Sequence, residues 1–559
     1  MVRRLAPLAL LAALVVACKH DVLTESHASS LTAVPAPATL VAEGALRDPD
    51  AFWAKLRKGG GAPLAYMHDT AAGAILGWAG VDPSVAPLVS GGHPFHLALG
   101  NAPEGVSYAI AMKLTDLDAA RTRLVDGESA TYRGEDADGM IRLVPRQQAA
   151  SHPALAVSWS GYLLLASTAS DLATLGAYAA RTLPTRAVPT SSFELRMAPL
   201  ALAAMAMKSP DLATKATAAL AATARSLLPP EVDASAFAAC FKPGILDTVA
   251  TAGDLTEARV DADADDAQLD ANATLVPKPG DNGARRRLTA MHPASAAPLL
   301  DTPRDAMAAL FWSDTAEVRT GDATTLGPCV GQALAPILGP NGANRFAELL
   351  TSWAHGRGDW ETAAVVAKSG VAGVVLRAPV ADGQALSGSV RGFVDMASLP
   401  SVAEAIERLL PLRAGGIESV DVPRVGKAQV VMFPPHSPPS KDPSSLSAVI
   451  TGLAPPGMAW AVDAKEADIG LGQSPRDLLG LARPAVAFRS NASIGRAVGA
   501  LGADVTFAAI VEPPGCCAGA GPVSAPLTLG WGRRGGNGRL SVAIGEELLG
   551  QIVARATAP

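Results

Sequence analysis

The chain has 559 residues, a net charge of -6 and a pI near 5.9, so it carries no basic footprint for nucleic acid. Hydrophobic residues make up 49% and charged residues 18%, which excludes a disordered polyelectrolyte and supplies enough apolar side chains for real cores. The length suits about two to four ordinary domains.

In chain order, basic Met1-Val2-Arg3-Arg4 precedes an apolar stretch from Leu5 to Ala17 that stops at Cys18. The apolar part is shorter than the roughly 20 helical residues a membrane span needs, so residues 1–17 read as a secretory signal peptide. Val15-Val16-Ala17-Cys18 resembles the lipobox of bacterial lipoproteins. The resemblance implies cleavage before Cys18 and acylation of that cysteine, and several acyl chains anchor a protein stably where one is marginal. Residues 18–45 are then the lipidated cysteine and a flexible tether, rich in Ser, Thr, Ala and Pro. Lys19 is not the Asp that retains many such proteins in the inner membrane, so the resemblance favours the outer membrane, facing the periplasm. No later stretch approaches 18 uninterrupted apolar residues, so no second membrane segment is expected.

A first α+β unit is expected over 46–296. His68-Asp69 and His93-Pro94-Phe95-His96 bring three histidines and a carboxylate close in sequence, a set with the chemistry for zinc or a transition metal. Gly91-Gly92 and Pro94 oppose the helical spacing that makes H-E-x-x-H strong, so half-exposed strand and loop histidines are the better reading, and no metal or cofactor is expected. Ala109-Ile110-Ala111-Met112 predicts a strand, Asp118 to Leu124 a short helix, "MIRLV" and "ALAVSWSGYLLLA" further strands, and Ser209-Pro210 to Leu228 a longer helix. Asp261-x-Asp263-x-Asp265 begins like a calcium loop, but Asp266 stands where Gly is required and Asn272 where a bidentate Glu is expected. Its alternation with Val260, Ala262 and Ala264 predicts a strand with an acidic face in water.

A second α+β unit is expected over 297–559. Ser401-Val402-Ala403-Glu404 reads as a capping box opening a helix. Gly530-Trp531-Gly532-Arg533-Arg534-Gly535 has the spacing of a dinucleotide loop, yet the alternating "GRLSVAI" that follows points to a glycine-rich hairpin. Beside Cys18 there are Cys240, Cys329, Cys516 and Cys517, which in an oxidising compartment favour disulfides, with three pairings open and at least one long-range bridge expected.

Three stretches of the first half align in order with three of the second: "AYMHDTA" at 65–71 with "LFWSDTA" at 310–316, "SYAIAMKLTD" at 107–116 with "GVVLRAPVAD" at 373–382, and "YLLLASTASDLATL" at 162–175 with "DIGLGQSPRDLLGL" at 468–481. Each half then ends in an alternating, hairpin-like segment, at 258–276 and 527–544. The expected architecture is therefore α+β, two related units from an internal duplication, with mostly antiparallel sheets and packed helices. Asp116/Asp382 and Asp171/Asp477 recur at predicted helix starts, where capping explains them, whereas Asp69/Asp314 have no helix predicted directly after them. The mature region resembles two-part exported lipoproteins of Gram-negative bacteria.

Neither a serine-hydrolase elbow nor a complete nucleophile, base and stabiliser set is legible. The sequence therefore points to an envelope-anchored, non-enzymatic scaffold or binding protein, partnered by the membrane through its anchor and by an unknown protein or apolar ligand. A carrier of an apolar ligand held between the halves is the first alternative, and a metal-dependent hydrolase using His68, His93 and His96 the second.

Overall fold

A computed structural model of the chain describes residues 32–549 apart from 60–66, 82, 103–104, 129, 147–152, 226–227, 246–250, 266–267, 369–370, 410–414, 434–455, 512–526 and 546–547. Cys18, Cys516 and Cys517 lie outside the described residues. The chain divides into two compact units, one formed by the residues up to Ala204 with Thr256–Leu275 and the residues from Ile544, the other by Met205–Leu255 and Val276–Ala543. Each unit is thus discontinuous in sequence, where a single boundary near residue 296 was expected.

The first unit opens on β1 (Leu40–Leu46), inside the stretch expected to be tether. Leu40, Ala42 and Ala45 are buried, and the chain is already fixed at Val34, whose N–H and C=O both bond Thr182 Oγ1. Helices α1 (Pro49–Gly59) and α2 (Ala71–Trp78) lead to β2 (Phe95–Ala102) and β3 (Gly105–Lys113). Next come α3 (Leu117–Arg121), the meander β4 (Tyr132–Ala137), β5 (Met140–Pro145), β6 (Ala154–Ser158) and β7 (Tyr162–Ala166), and a helical run α4 through Ala169–Asp171, Leu172–Gly176 and Ala177–Arg181. After β8 (Phe193–Met197) the chain enters α5 (Pro199–Met207), and the hairpin β9 (Leu255–Ala264) and β10 (Gln268–Pro277) completes the sheet. All its ladders are antiparallel among the described residues, in the order β4-β5-β6-β7-β3-β2-β1-β8-β9-β10.

Period-two alternation gives this sheet two apolar faces, each covered by helix. Phe95, Met112, Leu163 and Leu165 pack with Leu76 and Leu124 of the α2 and α3 side. The opposite face is built largely from alanine (Ala98, Ala109, Ala111, Ala156, Ala166), and these small side chains admit Leu172, Leu175 and Tyr178 of α4 close against the strands.

The second unit takes α6 (Ser209–Arg225), α7 (Ala234–Ala239) and α8 (Gly283–Ala290), then β11 (Ala306–Ser313), α9 (Ala316–Ala333) and α10 (Ala335–Gly356). The hairpin β12 (Trp360–Lys368) and β13 (Val371–Pro379) precedes α11 (Gly383–Ala397) and α12 (Pro400–Leu409). The meander β14 (Ile417–Val422), β15 (Gly426–Met432), β16 (Pro456–Val462) and β17 (Glu466–Gln473) leads into α13 (Pro475–Ala482), α14 (Ala492–Leu501), β18 (Val505–Val511), β19 (Leu527–Arg534) and β20 (Asn537–Gly545). The sheet order is β14-β15-β16-β17-β13-β12-β11-β18-β19-β20, again antiparallel throughout. Counted from its own first strand, each sheet therefore reads 4-5-6-7-3-2-1-8-9-10. The layering corresponds too: Leu376, Ile469 and Trp460 face Trp353, Val390 and Val394 of α10 and α11, while Phe311, Val375 and Ile510 face Leu478 of α13 and Ile494 of α14. The protein is mixed α and β with antiparallel sheets, and no helix among the described residues is long and apolar enough to cross a membrane.

Two local expectations change. The Ser401 box is not a cap, because the helix begins at Pro400 and Ala403 N–H already bonds Leu399 O, which puts Ser401 inside the first turn. Asp69 and Asp314 do precede helices: each stands one residue before a threonine cap, Thr70 or Thr315, whose hydroxyl accepts the N–H of Gly73 or Val318. The run after Thr70, "AAGAILGW", is apolar throughout, and the one after Thr315 opens on mixed charged, glycine and threonine residues, so neither shows the apolar stripe of period 3.6 by which a helix is recognised.

Candidate functional site: buried arginine–carboxylate arrays

A cluster of charge with two buried arginines and a buried glutamate is assembled where β11 hands over to α9 and α10 to β12. Asp314, just past β11, accepts Arg319 Nη1 on Oδ1 at 2.5 Å and Arg357 Nη2 on Oδ2 at 2.5 Å. Arg319, from the first turns of α9, also donates to the carbonyls of Ala354 at 2.6 Å and Arg357 at 2.8 Å, closing the C-terminal end of α10. Arg357 Nε lies 3.3 Å from Glu361 Oε2 on β12, and both residues are 5% exposed. Burial pushes the Glu361 carboxyl up to about 7, opposed by the Arg357 and Arg319 charges and reinforced by Asp314. Asp322 is also held above the ordinary carboxylate range by burial and by Asp314.

A second array occupies the other face of the same sheet. Arg377 on β13 and Asp468 on β17 are directly opposed in register, with Thr362 of β12 beside Arg377. Arg483 Nε reaches Asp468 Oδ2 at 2.8 Å and its Nη2 reaches Asp463 at 2.8 Å, while Arg377 Nη2 holds Glu466 at 2.5 Å. Asp468 is wholly buried and its carboxyl is raised by that burial, whereas Asp463 is lowered to about 2 by Arg483 and two backbone N–H groups, against its own desolvation. Arg357 Nη1, Arg377 Nε and Asp468 Oδ1 find no hydrogen-bond partner among the described residues. An open polar groove of about 350 Å³ lies between α10 and α11. Its charges are engaged within the fold: Arg345 pairs with Glu348, Ser352 Oγ donates to Ala385 O, and Asp382 caps α11.

The structure distributes the sequence-predicted residues as follows. Asp116 and Asp382 are N-caps, each accepting two backbone N–H groups on one oxygen at 2.9 and 3.0 Å. Asp171 and Asp477, expected to cap, instead stand inside the first turn, three residues after the N-cap positions Thr168 and Ser474, and Asp171 accepts the hydroxyls of Ser167 and Thr168. Asp261 is held by Arg259 and Ser191, Asp263 by the N–H of Ser192, and Asp265 by the N–H of Gln268, so all three serve the β9–β10 region. In the glycine-rich hairpin, Gly535 (φ 57°) and Gly536 (φ 86°) make the tight turn between β19 and β20, and a Cβ on Gly532 would lie 1.8 Å from Asp504 O. Cys240, at the end of α7, is bonded to Cys329 of α9, the long-range bridge expected.

The three histidines are not brought together. His68 is exposed beside α2, where Gly73 and Gly77 leave room for its ring, and His93 is exposed with Nδ1 2.8 Å from Ser90 Oγ. His96 is buried on the alanine-rich face of β2, edge-on to Tyr162 at 6.1 Å between ring centroids. No group of three or more His, Cys, Asp or Glu placed to hold a metal ion occurs among the described residues. Burial lowers His96 to about 4. Its ring signals are expected to stay those of neutral imidazole until the pH approaches that value. The unfolded chain takes this proton near 6.5, so the fold loses stability as pH falls from about 6.5 to 4. A His96 NMR midpoint near 6.5 would contradict the burial.

Arg319, Arg357, Glu361, Arg377, Asp468 and Arg483 escaped sequence reasoning because they belong to no spaced motif. Register and helix ends bring them together. Arg377 and Asp468 did lie inside the repeat markers, which is the one signal that marked either. No protein-family model, no curated protein and no solved structure matches this chain.

Proposed function

We propose that the protein is a lipid-anchored cell-envelope protein whose folded part binds or organises a partner on the periplasmic side. The observation that carries the reading is the apolar run ending in Val15-Val16-Ala17-Cys18, followed by polar residues. For the folded part, support comes from how the charged groups are employed. The guanidinium and carboxylate groups of both arrays neutralise one another inside the second unit, which suits a rigid scaffold rather than groups presented to a substrate.

The two sheets are, in this reading, products of one internal duplication. Support comes from the shared strand order, from helices inserted at the same connections, and from Asp69/Asp314, Asp116/Asp382 and Asp171/Asp477 falling at matching positions before, at or just after matching helix caps. Chance likeness of one strand pair is common. A ten-strand order matched together with its insertions is not.

The test is acyl labelling in a Gram-negative host. Wild-type protein is expected to take up a fatty-acid label, to begin at Cys18 and to fractionate with the outer membrane, and Cys18→Ser is expected to lose the label. Water-soluble, unlabelled protein beginning at another residue would overturn the proposal.

A further inference from the structure

We infer that the second unit's sheet binds a phospholipid acyl chain, laid across β12, β11, β18 and β19 between an aromatic and an aliphatic row of side chains. The inference names the partner of the folded part and so rests on the proposed binding role at the envelope. Alternation sends Ala364, Phe311 and Ile510 to the face covered by α13 and α14. On the opposite face α10 and α11 pack over β13, β17 and β16, through Leu376, Ile469 and Trp460. The next strands of that face carry a different surface. Trp312 stands directly opposite Glu361 on one side and Phe507 on the other, and Phe507 stands opposite Trp531. Aromatic residues are only 4% of the chain, yet three share this one cross-strand row, with Phe507 39% exposed and both tryptophans half-buried. Two residues along each strand, Ala363 and Ala509 flank Leu310 on the floor, and beyond it exposed Val365 and half-buried Val511 make the second rim.

The occupant follows from what this trough lacks. β11 is hydrogen-bonded on both edges, to β12 and β18, and β18 likewise to β11 and β19, so the backbone of the floor already has its partners. The floor side chains are purely apolar, and Glu361, the one ionisable group of the aromatic row, is turned to Arg357 at 3.3 Å. A glycan or an extended peptide laid here would leave its own polar groups unpaired, whereas an acyl chain gains from each methylene it buries. The indole N–H groups of Trp312 and Trp531 add donors at the rim, which suits a chain carried by a polar headgroup. Four strands span about 14 Å and the three rows a similar length, so the patch measures about 200 Å². A stable dimer buries roughly 800 Å² per partner, which leaves a second copy too little to hold.

The experiment places a benzophenone amino acid at Phe507, or as a control at exposed Val486, near Phe488 of the other face's core, in the full chain in a Gram-negative host. Irradiation is expected to give an adduct of phospholipid mass at Phe507 about tenfold above Val486. Val365→Asp is expected to cut that adduct about fivefold, because the bound chain would desolvate a carboxylate on the far rim, and Val365→Leu is expected to keep it. Val365 is 43% exposed, so both variants are expected to melt as wild type does, and the comparison of Phe507 with Val486 stands without them. Acyl labelling of Cys18 is read on the same samples. Labelled protein without a phospholipid adduct at Phe507, or with adducts only to free fatty acid, to the chain's own anchor or to protein, overturns the acyl site and leaves the anchor standing. Unlabelled protein that still gives the adduct overturns the anchor and leaves the acyl site standing. Absence of both overturns both.

Discussion

Asp314→Asn is expected to destabilise the second unit by about 3–5 kcal/mol, because it leaves two buried guanidinium groups without their shared counter-charge. The amide can still accept one hydrogen bond. It cannot neutralise both Arg319 and Arg357, nor satisfy each with the geometry of a carboxylate that bridges them. Among the described residues Glu361 is then the acid left at ion-pair distance from Arg357, so the loss should be smaller at high pH, where Glu361 is ionised. The matching substitution Asp69→Asn is expected to cost under about 1 kcal/mol. Asp69 holds Arg57 at 2.7 Å, but its side chain is 90% exposed, and water replaces the lost partner. Hydrogen exchange of the full chain separates the two, with β11 and β12 amides reporting one substitution and β1 and β2 amides the other. Equal, small effects at both positions would show that the buried array carries little stability.

Glu361→Gln is expected to stabilise the protein relative to wild type increasingly as the pH rises from 5 to 8. The folded carboxyl titrates at about 7 and the unfolded one near 4.5, so between these values the native state holds a proton that the unfolded chain has released. Raising the pH through that window therefore favours unfolding, and the penalty is complete above pH 7. At about 1.4 kcal/mol per unit, the difference amounts to roughly 3 kcal/mol, an order-of-magnitude figure. Glutamine keeps the shape and removes the titration. His96 acts with the opposite sign below pH 6.5, but it is common to both proteins and cancels in their difference. Denaturant unfolding of both proteins at half-unit pH steps measures the difference curve. A flat curve would mean that Glu361 is solvated or fully stabilised by Arg357.

Much of the local structure was legible because local chemistry decides it. Asp116 and Asp382 cap helices since an Asp before a helical run finds two free N–H groups within reach. The Gly530–Gly535 hairpin was readable from alternation plus paired glycines, and the Asp261 strand from its period of two. Where reading failed, the deciding contacts were distant. Residues 40–45 resembled tether because "LVAEGA" is short and weakly apolar, yet they belong to β1, the strand between β2 and β8. Ser401 looked like a cap until Pro400 took the first helical position, which needs no N–H.

The lipobox pattern, the alternation of strands and helices, the collinear repeat markers and the capping role of Asp116 and Asp382 could be read from the sequence without a structure. All of these depend on neighbours within a few residues. Tertiary structure alone decided the ten-strand order of each sheet, the pairing of Cys240 with Cys329, the separation of His68, His93 and His96, and the difference between the exposed Asp69 and the half-buried Asp314. The physical reason is that an ionised side chain's energy is set by what surrounds it. The same Asp-Thr-Ala segment is a solvated helix start in one unit and the centre of a buried charge array in the other.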